Sequence, residues 1–156
     1  MIFEKKYQEA INLGLELLKK TPEDSGVHIN LMDAYFKLRE QHPDYINKSN
    51  YHAKQAIIYG HNTGYAEERL AKNLDKEKKY HLSLQLYNLI LNTEEFHFST
   101  HGCGNIIDWE KRRKNIIKNM DKATDKENDI LFTEDEISKI IKTIYNDDIK
   151  ENKTFE

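Results

Sequence analysis

The chain of 156 residues has few of the residues that break or cross-link a fold. It has one cysteine, two prolines and six glycines, whereas average proteins contain about 7% glycine and 5% proline. One cysteine cannot form a disulfide within the chain and is typical of a reducing compartment. So few glycines and prolines disfavour a turn-rich β fold. We therefore expect a single helical domain that acts in the cytoplasm.

Long apolar runs and a strong charge of one sign are also missing. No stretch approaches the ~20 apolar residues that a transmembrane helix needs, and we expect no membrane association and no secretory signal. The formal net charge is −3 and the pI is about 6.2, whereas nucleic-acid-binding domains commonly have a pI above ~9. Acidic residues outnumber basic ones ten to five over residues 124–156. Nucleic acid is therefore not the partner we expect.

Apolar residues recur at three- and four-residue steps in several segments, which is the spacing of one face of a helix. Pro22, Pro43 and Gly60 fall between such segments, where a helix cannot continue or commonly ends. Thr133 and Glu136 have the spacing of a capping box at the start of the last segment. The pattern predicts helices over residues 7–18, 26–40, 46–59, 64–74, 79–91, 106–120 and 133–150.

Two of these segments share one spacing. Steps of three, four and three residues separate Tyr7, Ala10, Gly14 and Leu17, and the same steps separate Tyr80, Ser83, Tyr87 and Ile90. The segment that begins at Tyr7, with its proline at position 22, resembles the second helix of a tetratricopeptide (TPR) repeat. The segment Leu31-Met-Asp-Ala-Tyr-Phe-Lys-Leu38 resembles the first helix of such a repeat. Leu31 and Leu70 lie 39 residues apart, and the family period of ~34 residues implies an insertion near residues 42–49. The resemblance covers residues 4–95, about two and a half repeats.

The resemblance implies an all-α fold, a right-handed superhelical stack of antiparallel helical hairpins (an α-solenoid) with C-terminal capping helices. Successive hairpins in such a stack bury a shared core. Residues 1–123 would form the repeat domain, with a capping helix over 106–122. A polar linker over 124–132 would follow, and then an amphipathic helix over 133–151. That helix either folds back on the stack or docks on another chain as a homo-oligomer, and we favour the fold-back.

In proteins of this family, the first helices of the hairpins line a groove that binds a peptide or helix of another protein. Carried over to the matching positions, the groove would comprise Ile29, Asp33, Phe36, Lys37, Tyr65, Glu68, Lys72 and Asp75. The chaperone-binding branch of the family has lysine and asparagine where this chain has Ile29 and Asp33, so we do not expect capture of a C-terminal carboxylate. We expect a non-enzymatic adaptor or inhibitor without a cofactor, with Phe36 and Tyr65 as aromatic anchors.

Two other motifs leave alternatives open. His97, His101 and Cys103 could ligate zinc, although a fourth ligand is missing, and a cysteine nucleophile there would have no orienting third residue. Lys111-Arg-Arg-Lys114 could contact nucleic acid as part of an accessory factor. Four consecutive residues span more than one helical turn, so they cannot all face one phosphate backbone. A solvated basic face near the acidic segment 125–136 is the interpretation we favour.

Overall fold

The fold is all-α over the residues that the structure, a computed structural model, describes: 2–60, 64–92 and 105–143. No strand occurs within these ranges, and none of their helices is long and apolar enough to cross a membrane. Each helix overlaps one predicted segment, so the prediction of an all-α protein is confirmed. The helices are α1 (Ile2–Lys20), α2 (Ser25–Lys37), α3 (Tyr45–Ile58), α4 (Tyr65–Lys76), α5 (Tyr80–Asn92), α6 (Ile106–Lys118), a 3₁₀ turn (Met120–Lys122) and α7 (residues 134–143).

The start of α7 has the capping box that the sequence predicts. The backbone N–H of Thr133 donates to Glu136 Oε1 at 2.9 Å, and the N–H of Glu136 donates to Thr133 Oγ1 at 3.1 Å. The far end of α7 lies against Gly60, which has a φ of +89°. A Cβ at Gly60 would lie 2.2 Å from Cγ2 of Thr143, so both the turn and the contact require glycine.

Helix α2 is central to the core because it buries two faces. Leu31, Tyr35 and Leu38 pack on Ile11 of α1 in one cluster. Ile29 and Met32 belong to a second, larger cluster. That cluster also contains Ala53, Ala56, Ile57, Ile58, Ala66, Leu70, Ala71, Leu74, Leu86, Tyr87, Leu89, Ile90, Trp109, Ile116, Leu131, Phe132 and Ile140.

Helix α1 packs closely against α2 at Gly14. A Cβ at this position would lie 2.7 Å from Cδ2 of Leu31, so only glycine permits this separation of the two helices. Ile11 is buried on the same face, whereas Ala10 and Leu17 are exposed. The shared spacing of Tyr7, Ala10, Gly14 and Leu17 predicts that all four lie on one packed face. This prediction is wrong for Ala10 and Leu17, because the face turned towards α2 runs through Ile11 and Gly14.

Residues 124–132, predicted as a polar linker, are hydrogen-bonded to α5. Both carboxylate oxygens of Asp125 accept backbone N–H groups at the start of α5, from His81 at 3.0 Å and Leu82 at 2.9 Å. The Gln85 side chain donates to the Asp129 carbonyl at 2.6 Å and accepts from the Leu131 N–H at 2.8 Å. This segment brings Leu131 and then Phe132 into the core.

The described part of α7 packs against the core of its own chain. Ile140 is 1% exposed and belongs to the large cluster, and Ile137 packs against that cluster. Of the two arrangements that the sequence leaves open for this helix, its described residues adopt the fold-back. The rest of the predicted helix, residues 144–151, lies outside the described residues.

Replacing Asp125 by alanine is expected to lower the free energy of unfolding by about 1 kcal/mol. The substitution removes the acceptor of two N–H groups in the first turn of α5, which have no partner within the helix itself. Urea unfolding measures the change. Asp121→Ala is the matched control, since Asp121 is exposed and its loss should have little effect. Equal costs for the two substitutions would contradict a capping role for Asp125.

Candidate functional site

Side chains join α2 to α4, two helices that are not consecutive in the chain. The hydroxyl of Tyr65 donates to Oδ1 of Asp33 at 2.8 Å. The guanidinium carbon of Arg69 lies 3.7 Å from the centroid of the Phe36 ring. Burial, and next the hydrogen bond to Asp33, raise the pKa of Tyr65, so its hydroxyl stays protonated and can donate at neutral pH. These contacts bring three of the predicted groove residues, Asp33, Phe36 and Tyr65, together with Arg69, which was not predicted.

A second set of contacts joins α4 to α6. Nη1 of Arg112 lies 2.7 Å from Oε2 of Glu68, and Nζ of Lys72 lies 3.3 Å from the other oxygen of the same carboxylate. The Arg112 guanidinium also lies 4.7 Å from the ring centroid of Trp109 and 5.5 Å from that of Tyr87. Glu68 therefore acts as an ionic link between α4 and α6.

The eight predicted groove residues differ in exposure. Lys37, Tyr65 and Lys72 are exposed, and Asp33, Phe36, Glu68 and Asp75 are half-buried. Ile29 is 8% exposed and belongs to the core, so the structure does not present it to a partner. Asp75 accepts a hydrogen bond from the hydroxyl of Tyr87. Burial and then this hydrogen bond raise the pKa of Tyr87.

A cavity of about 450 Å³ opens beside Phe36, between α2, the start of α3 and α4. Its wall combines apolar and cationic side chains, among them Phe36, Pro43, Ile46, Arg39, Arg69, Lys72 and Lys76. Of these residues, the groove predicted from the sequence contains only Phe36 and Lys72. Arg69, Lys72 and Lys76 recur at steps of three and four along α4, and this cationic stripe is the signal that could have found the others.

A buried pair of histidines joins α2 to α3. Nδ1 of His28 lies 2.9 Å from Nδ1 of His52, and Nε2 of His28 lies 2.9 Å from the Pro22 carbonyl oxygen. Because a carbonyl only accepts, Nε2 of His28 carries hydrogen, and in the neutral pair His52 must donate through Nδ1. Burial, and next the charge of His28, lower the pKa of His52 to about 4. His52 is therefore neutral at pH 7.

The His52→Asn variant, whose amide can still donate to His28, should reveal the pH dependence that the histidine confers. Unfolded histidine titrates near pH 6.5, above the value of about 4 in the folded protein. The unfolded state therefore binds more protons between these pH values, and the contribution of His52 to stability is lost as the pH falls through them. We expect the difference in melting temperature between wild type and variant to shrink from pH 7.5 to pH 4.5. A constant difference would contradict the assignment.

The alternative motifs fall in different parts of the chain. His97, His101 and Cys103 lie outside the described residues, and within the described ranges no group of three or more His, Cys, Asp or Glu side chains is placed to hold a metal ion. In the basic cluster, Arg112 pairs with Glu68 and Arg113 Nη1 donates to two asparagine oxygens at 3.1 Å. Lys111 and Lys114 are exposed, so two of the four cationic side chains are engaged within the protein.

Comparisons with known proteins identify no relative. No protein-family model matches the sequence, and neither the curated proteins nor the solved structures give a match. Function is therefore inferred from the contacts around α2 and α4.

Proposed function

We propose that the protein is a non-enzymatic interaction module, a TPR-like adaptor or inhibitor that binds a peptide or helix of a partner protein along α2 and α4. The observation that carries the proposal is the pair of contacts Asp33–Tyr65 and Phe36–Arg69, which hold the two helices side by side next to an open cavity of about 450 Å³. A cavity of this size lies within the range typical of binding sites, and its wall presents both charged and apolar side chains.

The contacts between helices support a TPR-like stack. The principal contacts join helices that are consecutive in the chain. Side chains also join α2 to α4 and α4 to α6, as expected if alternate helices line one face of a right-handed superhelical stack. Solenoids use such extended concave faces to bind their partners. The proposal places the protein in the cytoplasm, for which a single cysteine is typical.

The composition of this face also supports protein binding. Tyr65 of α4 is 44% exposed, and Lys37 of α2 and Lys72 of α4 are also exposed. Tyrosine is enriched at protein interfaces, where it provides a large rigid contact area and a polar end. Tyr65 is therefore the residue of this face that we expect to contribute most to affinity.

Affinity capture from the source cells with a matched pair of tyrosine variants tests the proposal. Tyr65→Ala should weaken retention of the partner by more than about tenfold, because truncating an aromatic anchor commonly costs about 2 kcal/mol or more. Tyr51 of α3 is 55% exposed, and Tyr51→Ala should retain the partner as wild type does. Melting temperatures show that both variants are folded.

Two results would contradict the proposal. One is a protein retained equally by wild type and both variants, since it would bind elsewhere. The other is a protein lost only from Tyr51→Ala, which would move the binding face to α3.

A further inference from the structure

The ring of Phe36 lies between two guanidinium groups. The guanidinium carbon of Arg39 is 3.8 Å from the ring centroid and that of Arg69 is 3.7 Å from it. So short a distance is reached only above or below a ring plane, and two guanidinium groups cannot share one face. The arginines therefore lie on opposite faces, and Arg39 Nη1 also donates to the Phe36 carbonyl at 2.8 Å. Both cations are held in place before any ligand arrives.

The cavity beside this stack carries an excess of positive charge. Four cationic and two acidic side chains line it: Arg39, Arg69, Lys72, Lys76, Glu40 and Glu77. Glu77 is 3.0 Å from Nζ of Lys79, and Lys72 is 3.3 Å from Glu68. The remaining balance is three cationic side chains against Glu40. Within the described residues no ion pair joins Arg39 or Arg69 to a carboxylate. Arg69 contacts the Tyr65 hydroxyl, and its Nε is buried without a hydrogen-bond partner in the part of the chain described.

From this geometry we infer that the cavity binds an oxyanion, a carboxylate or a phosphate, on a side chain of the partner's segment. The guanidinium fork matches the two oxygens of such a group and is always charged. Pro43 and Ile46 in the same wall provide apolar contact for the aliphatic part of the side chain. The inference rests on the proposed function and gives its partner a chemistry, an acidic or phosphorylated segment.

A protein segment fits this site better than a nucleic acid does. The chain as a whole has a net charge of −3, which repels a continuous phosphate backbone. One cavity with two prearranged arginines suits one oxyanion, and Pro43 and Ile46 in its wall offer apolar contact that a sugar-phosphate chain does not use. An acidic side chain uses both parts of the wall.

NMR titration of the full chain tests the inference without knowledge of the partner. Inorganic phosphate and acetate are added separately at an ionic strength fixed with chloride, and the Nε–Hε signals of the arginines are followed. We expect saturating shifts at Arg39 and Arg69, and a dissociation constant about tenfold higher in Arg69→Gln, which loses a charged hydrogen-bond donor. The matched control is Arg113→Gln, which should bind as wild type does because Arg113 does not line the cavity.

A second variant keeps the test decisive if Arg69→Gln does not fold. Lys76 is exposed, so Lys76→Gln should fold normally and weaken binding about two- to fivefold. Tighter binding of phosphate than acetate would indicate a phosphorylated segment, and the reverse would indicate aspartate or glutamate.

The inference is overturned if the shifts do not saturate, or if folded Arg69→Gln and Lys76→Gln both bind as wild type does. The same titration is repeated with a short RNA, hexauridylate, and with an amidated hexaglutamate peptide. The inference is also overturned if the RNA binds more tightly than the peptide and this binding depends on Arg69.

Failure of this inference can be told apart from failure of the proposed function. Partner capture that depends on Tyr65 without any oxyanion binding would remove only the inference, and oxyanion binding with Tyr65-independent capture would remove only the function.

Discussion

Replacing Leu70 by alanine should lower the free energy of unfolding by about 2–5 kcal/mol. Leu70 is 0% exposed and belongs to the large cluster that joins α2 to the helices that follow it. Removing its side chain both loses apolar burial and leaves a space that packed neighbours fill only in part. Urea unfolding followed by circular dichroism measures the change.

Leu13→Ala is the matched control for this substitution. Leu13 lies on α1 and is 63% exposed, so its truncation should change stability far less. If the two alanine variants were equally stable, Leu70 would not lie in the core that α2 shares with the helices up to α6, and the packing described for these helices would be incorrect.

Replacing Glu67 by methionine should raise the free energy of unfolding by about 3 kcal/mol at pH 8. Glu67 is 1% exposed, and its Oε2 has no hydrogen-bond partner within the described structure. Burial, as the largest cause, raises the pKa of this carboxyl from 4.5 to about 7. At about 1.4 kcal/mol for each pKa unit, this difference corresponds to about 3 kcal/mol. Methionine has a similar volume and needs no proton or partner.

The gain from Glu67→Met should depend on pH in a defined direction. The folded carboxyl binds its proton more readily than the unfolded one, so the folded state binds more protons between pH 4.5 and about 7. Glu67 therefore lowers stability increasingly as the pH rises through this range. The stability difference between variant and wild type should be small at pH 4 and near its full size at pH 8. The exposed control Glu110→Met should show no such dependence, and a pH-independent gain at Glu67 would contradict the assignment.

Wild-type protein should show a flatter pH profile than either single variant. His52 loses its contribution as the pH falls from about 6.5 to about 4, whereas Glu67 lowers stability as the pH rises from 4.5 to about 7. The two slopes have opposite signs over nearly the same range, so they offset each other in part. Each substitution removes one slope and exposes the other.

The positions of the helices could be predicted because the local signals agree with one another. Periodic apolar residues, the prolines at 22 and 43 and the capping box at Thr133 mark the breaks between helices. The exact ends differ by a few residues, since α1 begins at Ile2 and α2 ends at Lys37. The burial of residues 124–132 could not be predicted in this way. Their polar side chains resemble a linker, and only the tertiary position of α5 turns Asp125 into a helix cap.

Only part of the candidate site could be predicted from the sequence, because the rest also depends on tertiary packing. Phe36 and Tyr65 can be identified from their positions on the first helices. Arg39 cannot, because it reaches the Phe36 ring from the turn that follows the end of α2 at Lys37. His28 and His52 are 24 residues apart, and no spacing rule links them. Glu67 resembles any acidic residue in the first turn of a helix, and its burial depends on how α4 packs.

The most direct test of the central claim, that α2 and α4 form the partner-binding face, is hydrogen–deuterium exchange of the full chain with and without its captured partner. The proposed function predicts slower exchange over residues 29–40 and 65–76 in the complex, with α1 and α7 unchanged. Protection confined to α1, α6 or α7 would place the interface elsewhere and contradict the claim.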